Sequence, residues 1–161
     1  DFARMPKPVL KENNLVQDLE DNINFLSKMD ESIKIKLISV SKKIIFKCDK
    51  EQLSRVFLNL IKNSIESIQQ KAENIGNFDK NISIEIKENN DHIIIIMTDN
   101  GVGFKNFKDK IEDILHPYFT TKKNGTGLGL SIVNKIINDH NGKINFTSID
   151  DGAKIQIILN K

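Results

Sequence analysis

The sequence predicts an α+β domain, a two-layer sandwich in which helices cover a sheet. Two observations carry this. Segments with helical spacing and segments with strand alternation run in the order helix, two strands, helix, two strands, long loop, helix, hairpin, so the helices are segregated from the strand runs. The chain has 161 residues, 39% hydrophobic and 29% charged. That is the size of one domain, with an ordinary soluble composition and enough length for a core without staples.

Each element follows from its local pattern. Residues 1–11 carry Pro6 and Pro8 one residue apart; proline holds itself and its predecessor extended, which predicts a linker. Over 12–29, Leu15, Leu19, Ile23 and Leu26 recur at helical spacing. Ile33, Ile35 and Leu37 alternate with Lys34 and Lys36, and Ile44 to Cys48 follows, predicting two strands over 33–40 and 44–48. A helix over 50–72 starts from Asp49, a good N-cap. Leu53, Phe57, Leu60, Ile61 and Ile68, with the small Ser64, form its apolar stripe. Asn59, Asn63, Glu66 and Gln70 line an adjacent polar stripe. Residues 73–81, with Gly76, read as a polar loop, and Ile82, Ile84 and Ile86 as a half-covered strand.

The run 93–98 is almost continuously apolar, which predicts a strand buried on both faces, stopping at Asp99-Asn100-Gly101. Residues 100–126 then form a segment long enough to be functional or mobile. Residues 127–140 have helical spacing through Leu130, Val133, Ile136 and Ile137. The strands 143–149 and 153–159 flank Asp150-Asp151-Gly152, a hairpin turn signal.

Composition removes several classes of function. The longest apolar run, Ile93 to Met97, is far short of a membrane span, and no signal peptide opens the chain. Cys48 is the single cysteine, so there is no disulfide scaffold and the context is reducing. A net charge of +2, spread along the chain, argues against a nucleic-acid partner. His92, His116 and His140 have no metal-ligand spacing. The first residue is Asp, which marks the chain as a piece of something longer.

Four features could carry chemistry: the stripe Asn59, Asn63 and Glu66; Asp99 to Phe104; His116 to Lys122; and Gly125 to Leu130. Each alone has an ordinary reading. Asn63 could be an exposed helix residue, Asp99 a turn former, Tyr118 and Phe119 core aromatics, and Gly125, Gly127 and Gly129 a helix-entry turn. Together they are coherent. Glycines let backbone N–H groups approach a phosphate, and a helix N-terminus offers open donors and a positive dipole end. Gly125, Thr126, Gly127, Leu128, Gly129 and Leu130 supply both, beside Lys122 and Lys123. Asn63 can offer its amide oxygen to Mg²⁺, which takes few protein ligands and completes its shell with phosphates and water. Asp99 can accept a hydrogen bond from an exocyclic amine such as adenine's, provided its charge is paired or hydrogen-bonded. The implied ligand is Mg²⁺–ATP.

NLIKNSIES resembles the asparagine box of sensor histidine kinases, DNGVGF their first glycine box, PYFTTK their phenylalanine box and GTGLGL their second glycine box, all in the family's order. The opening DFARMPKP is similar to the segment leaving the dimerisation helices in kinases of the nitrogen-regulation NtrY/NtrB type. The resemblance implies a Bergerat-type ATP-binding fold over 12–161: a mixed sheet covered on one face by about three helices, with a mobile ATP lid at about 104–124. It implies Mg²⁺ on Asn63, nucleotide contact by Asn59, and adenine on Asp99 supported by Gly101 and Gly103. Phe119 would close over the site, Thr120, Thr121 and Lys122 would lie near the phosphates, and Gly125, Gly127 and Gly129 would form hinge and cradle. Asn59 and Asn63 would be the catalytic pair.

The resemblance further implies transfer of the γ-phosphate to a histidine on an upstream dimerisation domain, absent here, for relay to a response regulator. The fragment would be a cytoplasmic domain of a membrane-anchored sensor, homodimeric only in the full-length protein. Hydrolytic relatives (DNA gyrase, MutL, heat-shock chaperones) usually carry a glutamate base one turn before the metal asparagine. Asn59 stands there and cannot take a proton from water at neutral pH. Two other readings remain, a hydrolytic ATPase and an anti-sigma-type serine kinase; Asn59 weighs against the first and the linker-like start against the second.

Overall fold

A computed structural model describes residues 5–103 and 129–161. Seven strands and three helices lie among them: β1 (Lys11–Asn14), α1 (Leu15–Leu26), β2 (Ile33–Ser39), β3 (Ile45–Cys48), α2 (Lys50–Ile75), β4 (Lys80–Glu88), β5 (His92–Asp99), α3 (Gly129–Asp139), β6 (Gly142–Ile149) and β7 (Gly152–Asn160). The main sheet runs β2-β4-β5-β7-β6. It is mixed: β2 pairs parallel with β4, and the other pairs are antiparallel. The predicted α+β sandwich is what forms.

The chain enters differently from the expectation. A helix over 12–29 is predicted, but Lys11–Asn14 pairs antiparallel with β3 as a separate two-stranded sheet. The helix begins only at Leu15 because Asn14 caps it: the Asn14 Oδ1 accepts the N–H of Val16 at 3.2 Å and of Ile44 at 3.1 Å. An asparagine whose side chain bonds the next turn favours ending an extended segment over continuing a helix. The strand predicted over 44–48 forms at Ile45–Cys48, outside the main sheet.

The second helix starts where expected. The Asp49 Oδ1 accepts the N–H of Gln52 at 3.1 Å. The helix runs past the predicted 72 to Ile75 and stops at Gly76, whose φ of 83° lies where only glycine sits without strain. The predicted loop 73–81 is therefore shorter, and β4 already begins at Lys80. Leu53, Phe57, Leu60, Ile61, Ile65 and Ile68 of α2 are all at most 1% exposed. Fully burying one such side chain contributes roughly 1.5–3 kcal/mol, so the middle of this helix is the domain's main apolar anchor. It contacts both α1 and α3.

The strand predicted to be buried on both faces is not. In β5, Ile93, Ile95 and Met97 are buried, while Ile94 and Ile96 on the opposite face are half-buried. Among the described residues the three helices lie on the other face, and Ile94 is flanked in the sheet by Lys87 and Ile158. The hairpin forms as predicted: Ile149 pairs with Gly152 across Asp150-Asp151.

His140, predicted at a helix end, is a buried tie between elements. Its Nε2 accepts the N–H of Asp49 at 3.0 Å and its Nδ1 lies 2.8 Å from the carbonyl of Ile136. The neutral Nδ1–H tautomer satisfies both bonds. Cys48 is also buried, and burial pushes its thiol up to about 11.

Replacing Asp49 tests the start of α2. Burial opposes its charge, but the N–H groups of Val9 and Gln52 outweigh this and hold the carboxyl below its ordinary 3.8. A lowered carboxyl contributes stability that is present above the ordinary value and lost as pH falls through the folded one. We expect Asp49→Ala to cost about 1–2 kcal/mol in urea unfolding near pH 7, with the gap to the native protein closing below about pH 4. A constant gap across that range would show that the carboxylate charge is not what caps the helix.

Candidate functional site

The site is built around the end of β5. Strand alternation puts Asp99 on the helix-covered face, in register with Ile82 of β4 and Ala153 of β7, and it is 5% exposed. A bare carboxylate there would be costly. Burial does push its carboxyl above the ordinary 3.8, and a set of donors opposes that shift. The Gly101 N–H donates to Oδ1 at 2.9 Å, the Ser64 hydroxyl and the Ala153 N–H also donate, and the Lys71 ammonium adds an opposite charge. Asp99 is thus an ionisable acceptor fixed in place and shielded from water, suited to reading one N–H donor of a ligand.

Glycines let the chain after β5 lie against its neighbours. A Cβ on Gly101 would sit 2.3 Å from the Ser67 Oγ and 2.8 Å from the Ser67 carbonyl carbon, so only glycine lets the loop touch the α2 backbone. The Val102 N–H then donates to the Ser67 Oγ at 2.9 Å. Gly103 has a φ of 70° and lies against Gly152, where a Cβ would meet the Gly152 carbonyl at 2.4 Å. Gly152 in turn presses on the Asp99 carbonyl.

The third part arrives from α3. A Cβ on Gly129 would lie 3.3 Å from the Asn59 Oδ1, so the first residue of α3 sits beside Asn59. The Asn59 Nδ2 donates to the Arg55 carbonyl at 3.1 Å, which fixes the amide. Asn63 is half-buried on α2, one turn after Asn59 and directly before Ser64. Leu130 is half-buried and packs on the core.

Of the residues picked out from sequence, the structure therefore gathers Asn59 with Gly129, and Asp99 with Gly101 and Gly103, with α2 common to both groups. Phe119, Thr120, Thr121, Lys122, Gly125, Thr126, Gly127 and Leu128, and the expected lid at 104–124, lie outside the described residues. Sequence reasoning misses Ser67 and Lys71. The spacing Ser64, Ser67, Lys71 follows i, i+3, i+7 along one helix face, a signal that was available.

Comparison with known proteins gives the family and the fold of the chain. Residues 48–161 match the family described as histidine kinase-, DNA gyrase B-, and HSP90-like ATPase. The chain belongs to that family. It is 37% identical over 150 residues to the sensor histidine kinase ZraS of Salmonella typhimurium, a match covering 91% of this chain and 30% of that kinase. It is 32% identical over 157 residues to a putative sensor histidine kinase, NtrY-like, of Rickettsia conorii, covering 97% of this chain and 25% of that one. The catalytic domain of histidine kinase ThkA superposes with a TM-score of 0.80 at 25% identity, covering 95% of this chain and 96% of that domain. The chain spans less than a third of the length of the curated relatives it matches. These relatives are sensor histidine kinases, and the fold of the chain is similar to the catalytic domain of one.

The buried carboxylate yields a signed expectation. The folded pKa of Asp99 lies above the ordinary value, so its charge costs stability at neutral pH, and the cost is relieved as pH falls through the folded value. Asp99→Asn should therefore melt at the same temperature as the native protein or higher near pH 7. That difference should shrink on acidification. A clearly lower melting temperature at neutral pH would mean that the lost ionic acceptor outweighs desolvation.

Proposed function

We propose that this domain binds Mg²⁺–ATP between α2, the end of β5 and the N-terminus of α3. It then transfers the γ-phosphoryl group to a histidine on a dimerisation domain outside this chain, for relay to a response regulator. The observation that carries the reading is the buried Asp99 carboxylate, pinned by Gly101 of the following loop and by Ser64 of α2, the helix that also presents Asn59 and Asn63.

In this reading Asp99 accepts the adenine amine, with Gly101 and Gly103 letting backbone approach the base. Asn59 and the α3 N-terminus, with Gly129 and Leu130, face the phosphates. Asn63 has the donor chemistry for Mg²⁺: a neutral amide oxygen, a hard ligand for a hard cation whose other ligands are phosphates and water. The metal, when bound, neutralises phosphate charge. By the family resemblance, Phe119, Thr120, Thr121, Lys122, Gly125, Thr126, Gly127 and Leu128 would complete the enclosure and 104–124 would be its lid; these residues lie outside the described ones.

The acceptor imidazole is already a nucleophile, so it attacks the γ-phosphorus without a base on this domain, and ADP leaves with the bridging oxygen. Water would need a base, and Asn59 is an amide. Slow intrinsic hydrolysis follows. The segment before β1 is the exit from the dimerisation helices of an NtrY/NtrB-type kinase, and those helices supply the homodimer. Such a domain works on the cytoplasmic side of a membrane-anchored sensor. Among the described residues no helix is long and apolar enough to cross a membrane.

A phosphotransfer assay with radiolabelled ATP and a supplied histidine-bearing dimerisation fragment tests the activity. Label on that histidine is expected; release of free phosphate without the fragment would instead favour a hydrolase. For the metal, we expect Asn63→Ala to weaken ATP binding by about tenfold with Mg²⁺, the scale of one charge-assisted contact, and by little in EDTA. Equal losses in both buffers would remove Asn63 as the ligand. Asp99→Asn should weaken ATP binding in calorimetry, and an unchanged dissociation constant would remove its role.

A further inference from the structure

Lys71 stands one step behind the site, and its bonds have a particular geometry. It lies on α2, and its side chain is 15% exposed. Its Nζ donates to the carbonyl of Asn100 at 2.8 Å and to the Asp151 Oδ1 at 2.6 Å, and it sits 4.8 Å from the centre of the Phe78 ring. The Asn100 carbonyl belongs to the same peptide unit as the Gly101 N–H, and that N–H is the donor to Asp99. One planar peptide is therefore gripped at its oxygen by an ammonium and presents its N–H to a buried carboxylate.

We propose that Lys71 is a positioning residue for Asp99, acting through the Asn100–Gly101 peptide; this rests on the reading of Asp99 as the adenine acceptor. Two physical effects are combined. A peptide group is rigid and planar, so fixing the direction of its C=O fixes the direction of its N–H. A cation on the oxygen also polarises the amide, which strengthens the bond that the N–H makes at its other end in a low-dielectric site. The rest of Asn100 is tied as well: its Nδ2 donates to the Asp79 carbonyl and its Oδ1 accepts the Asn81 N–H at 2.9 Å. Those bonds hold the Asn100 side chain, whereas Lys71 holds the carbonyl of the peptide that aims the Gly101 N–H.

Among the described residues, the charged groups around this relay are few. Asp150 and Asp151 of the β6–β7 turn line the cavity of about 220 Å³ that Lys71 and Gly101 also line. Among the described residues, Lys71 is the charge acting on Asp99, and the neutral donors facing that carboxyl are Gly101, Ser64 and Ala153. Loss of the ammonium leaves Asp99 with burial less opposed, so its ionised form survives over a narrower pH range.

The test compares Lys71→Met, which keeps the apolar stem but no charge, with Lys71→Arg and Asp151→Asn. Titration calorimetry with ATP is run between pH 5 and 8, alongside the amide proton resonance of Gly101 in the ligand-free chain. Lys71→Met should bind ATP roughly tenfold more weakly near neutrality, the scale of one hydrogen bond to a charged group. Its affinity should begin to fall at a higher pH than in the native chain, and its Gly101 resonance should move upfield. Lys71→Arg should restore all three. Asp151→Asn, which alters the exposed end of the pair, should stay within about twofold. If Lys71→Met weakens binding with an unchanged pH profile and an unchanged Gly101 resonance, Lys71 is only structural and the proposal is overturned. Native affinity in that variant overturns it too. Should Lys71→Met not fold, Lys71→Gln keeps a donor without the charge and is read on the same pH profile. If the native chain fails to bind ATP at all, the nucleotide reading falls, while the Gly101 resonance still reports on the relay.

Discussion

A carboxylate at the covered end of a central strand is the constraint around which the site is organised. Asp99 has given up water, and its charge survives there only because Gly101, Ser64 and Ala153 donate to it and Lys71 lies behind them. Those donors come from three elements that are far apart in the chain. The loop after β5 must therefore lie on α2 closely enough for Ser67 to touch it, and the β6–β7 hairpin must close against the same loop. Both approaches would be blocked by a methyl group, at Gly101 against Ser67 and at Gly152 against the Asp99 carbonyl. The glycines are thus needed for packing before any ligand is considered. The same packing leaves a fixed hydrogen-bond acceptor at the edge of the core.

Much of this was legible in the sequence because the signals were local. Asp49 before an apolar stripe marks the start of a helix, and Asp150-Asp151-Gly152 marks a hairpin. Both devices complete themselves within a few residues. The candidate residues on α2 and after β5 stood out only as a set: asparagines at i, i+4 on a helix and an acid ending an apolar run are each ordinary alone, and it is their combination with the glycine motifs that points to a nucleotide.

The misreadings share a cause, which is that a non-local partner decided the outcome. Lys11–Asn14 is a strand because β3 takes its backbone groups, and nothing within that stretch announces a partner some thirty residues on. The run of four isoleucines in β5 reads as doubly covered, yet the described helices occupy one face and Ile94 and Ile96 are only half-buried on the other. His140 is tied to Asp49 across 91 positions. Ser67 and Lys71 carry a weaker signal: their spacing with Ser64 puts them on one helix face, but serine and lysine on a helix are common, and the contact with the loop after Asp99 is what distinguishes them.

The tie at the start of α2 also matters for how a domain of this kind is placed. Asp49 caps the helix through Gln52 while its second oxygen accepts the N–H of Val9, and Gln52 donates to the carbonyl of Pro6. The segment arriving at β1 is therefore hydrogen-bonded to the first turn of α2, not tethered loosely to the domain. A 26-residue helix is about 39 Å long, and it carries Asn59, Asn63, Ser64, Ser67 and Lys71 in succession along its length. The entering chain and the candidate nucleotide groups thus share one stiff element. A reorientation of the chain before β1 then has two structural outcomes: it moves α2 with all of these groups together, or it first breaks the bonds at Val9 and Pro6. The bonds that decide between the two lie at the first turn of the helix, and the packed core lies between them and Asp99.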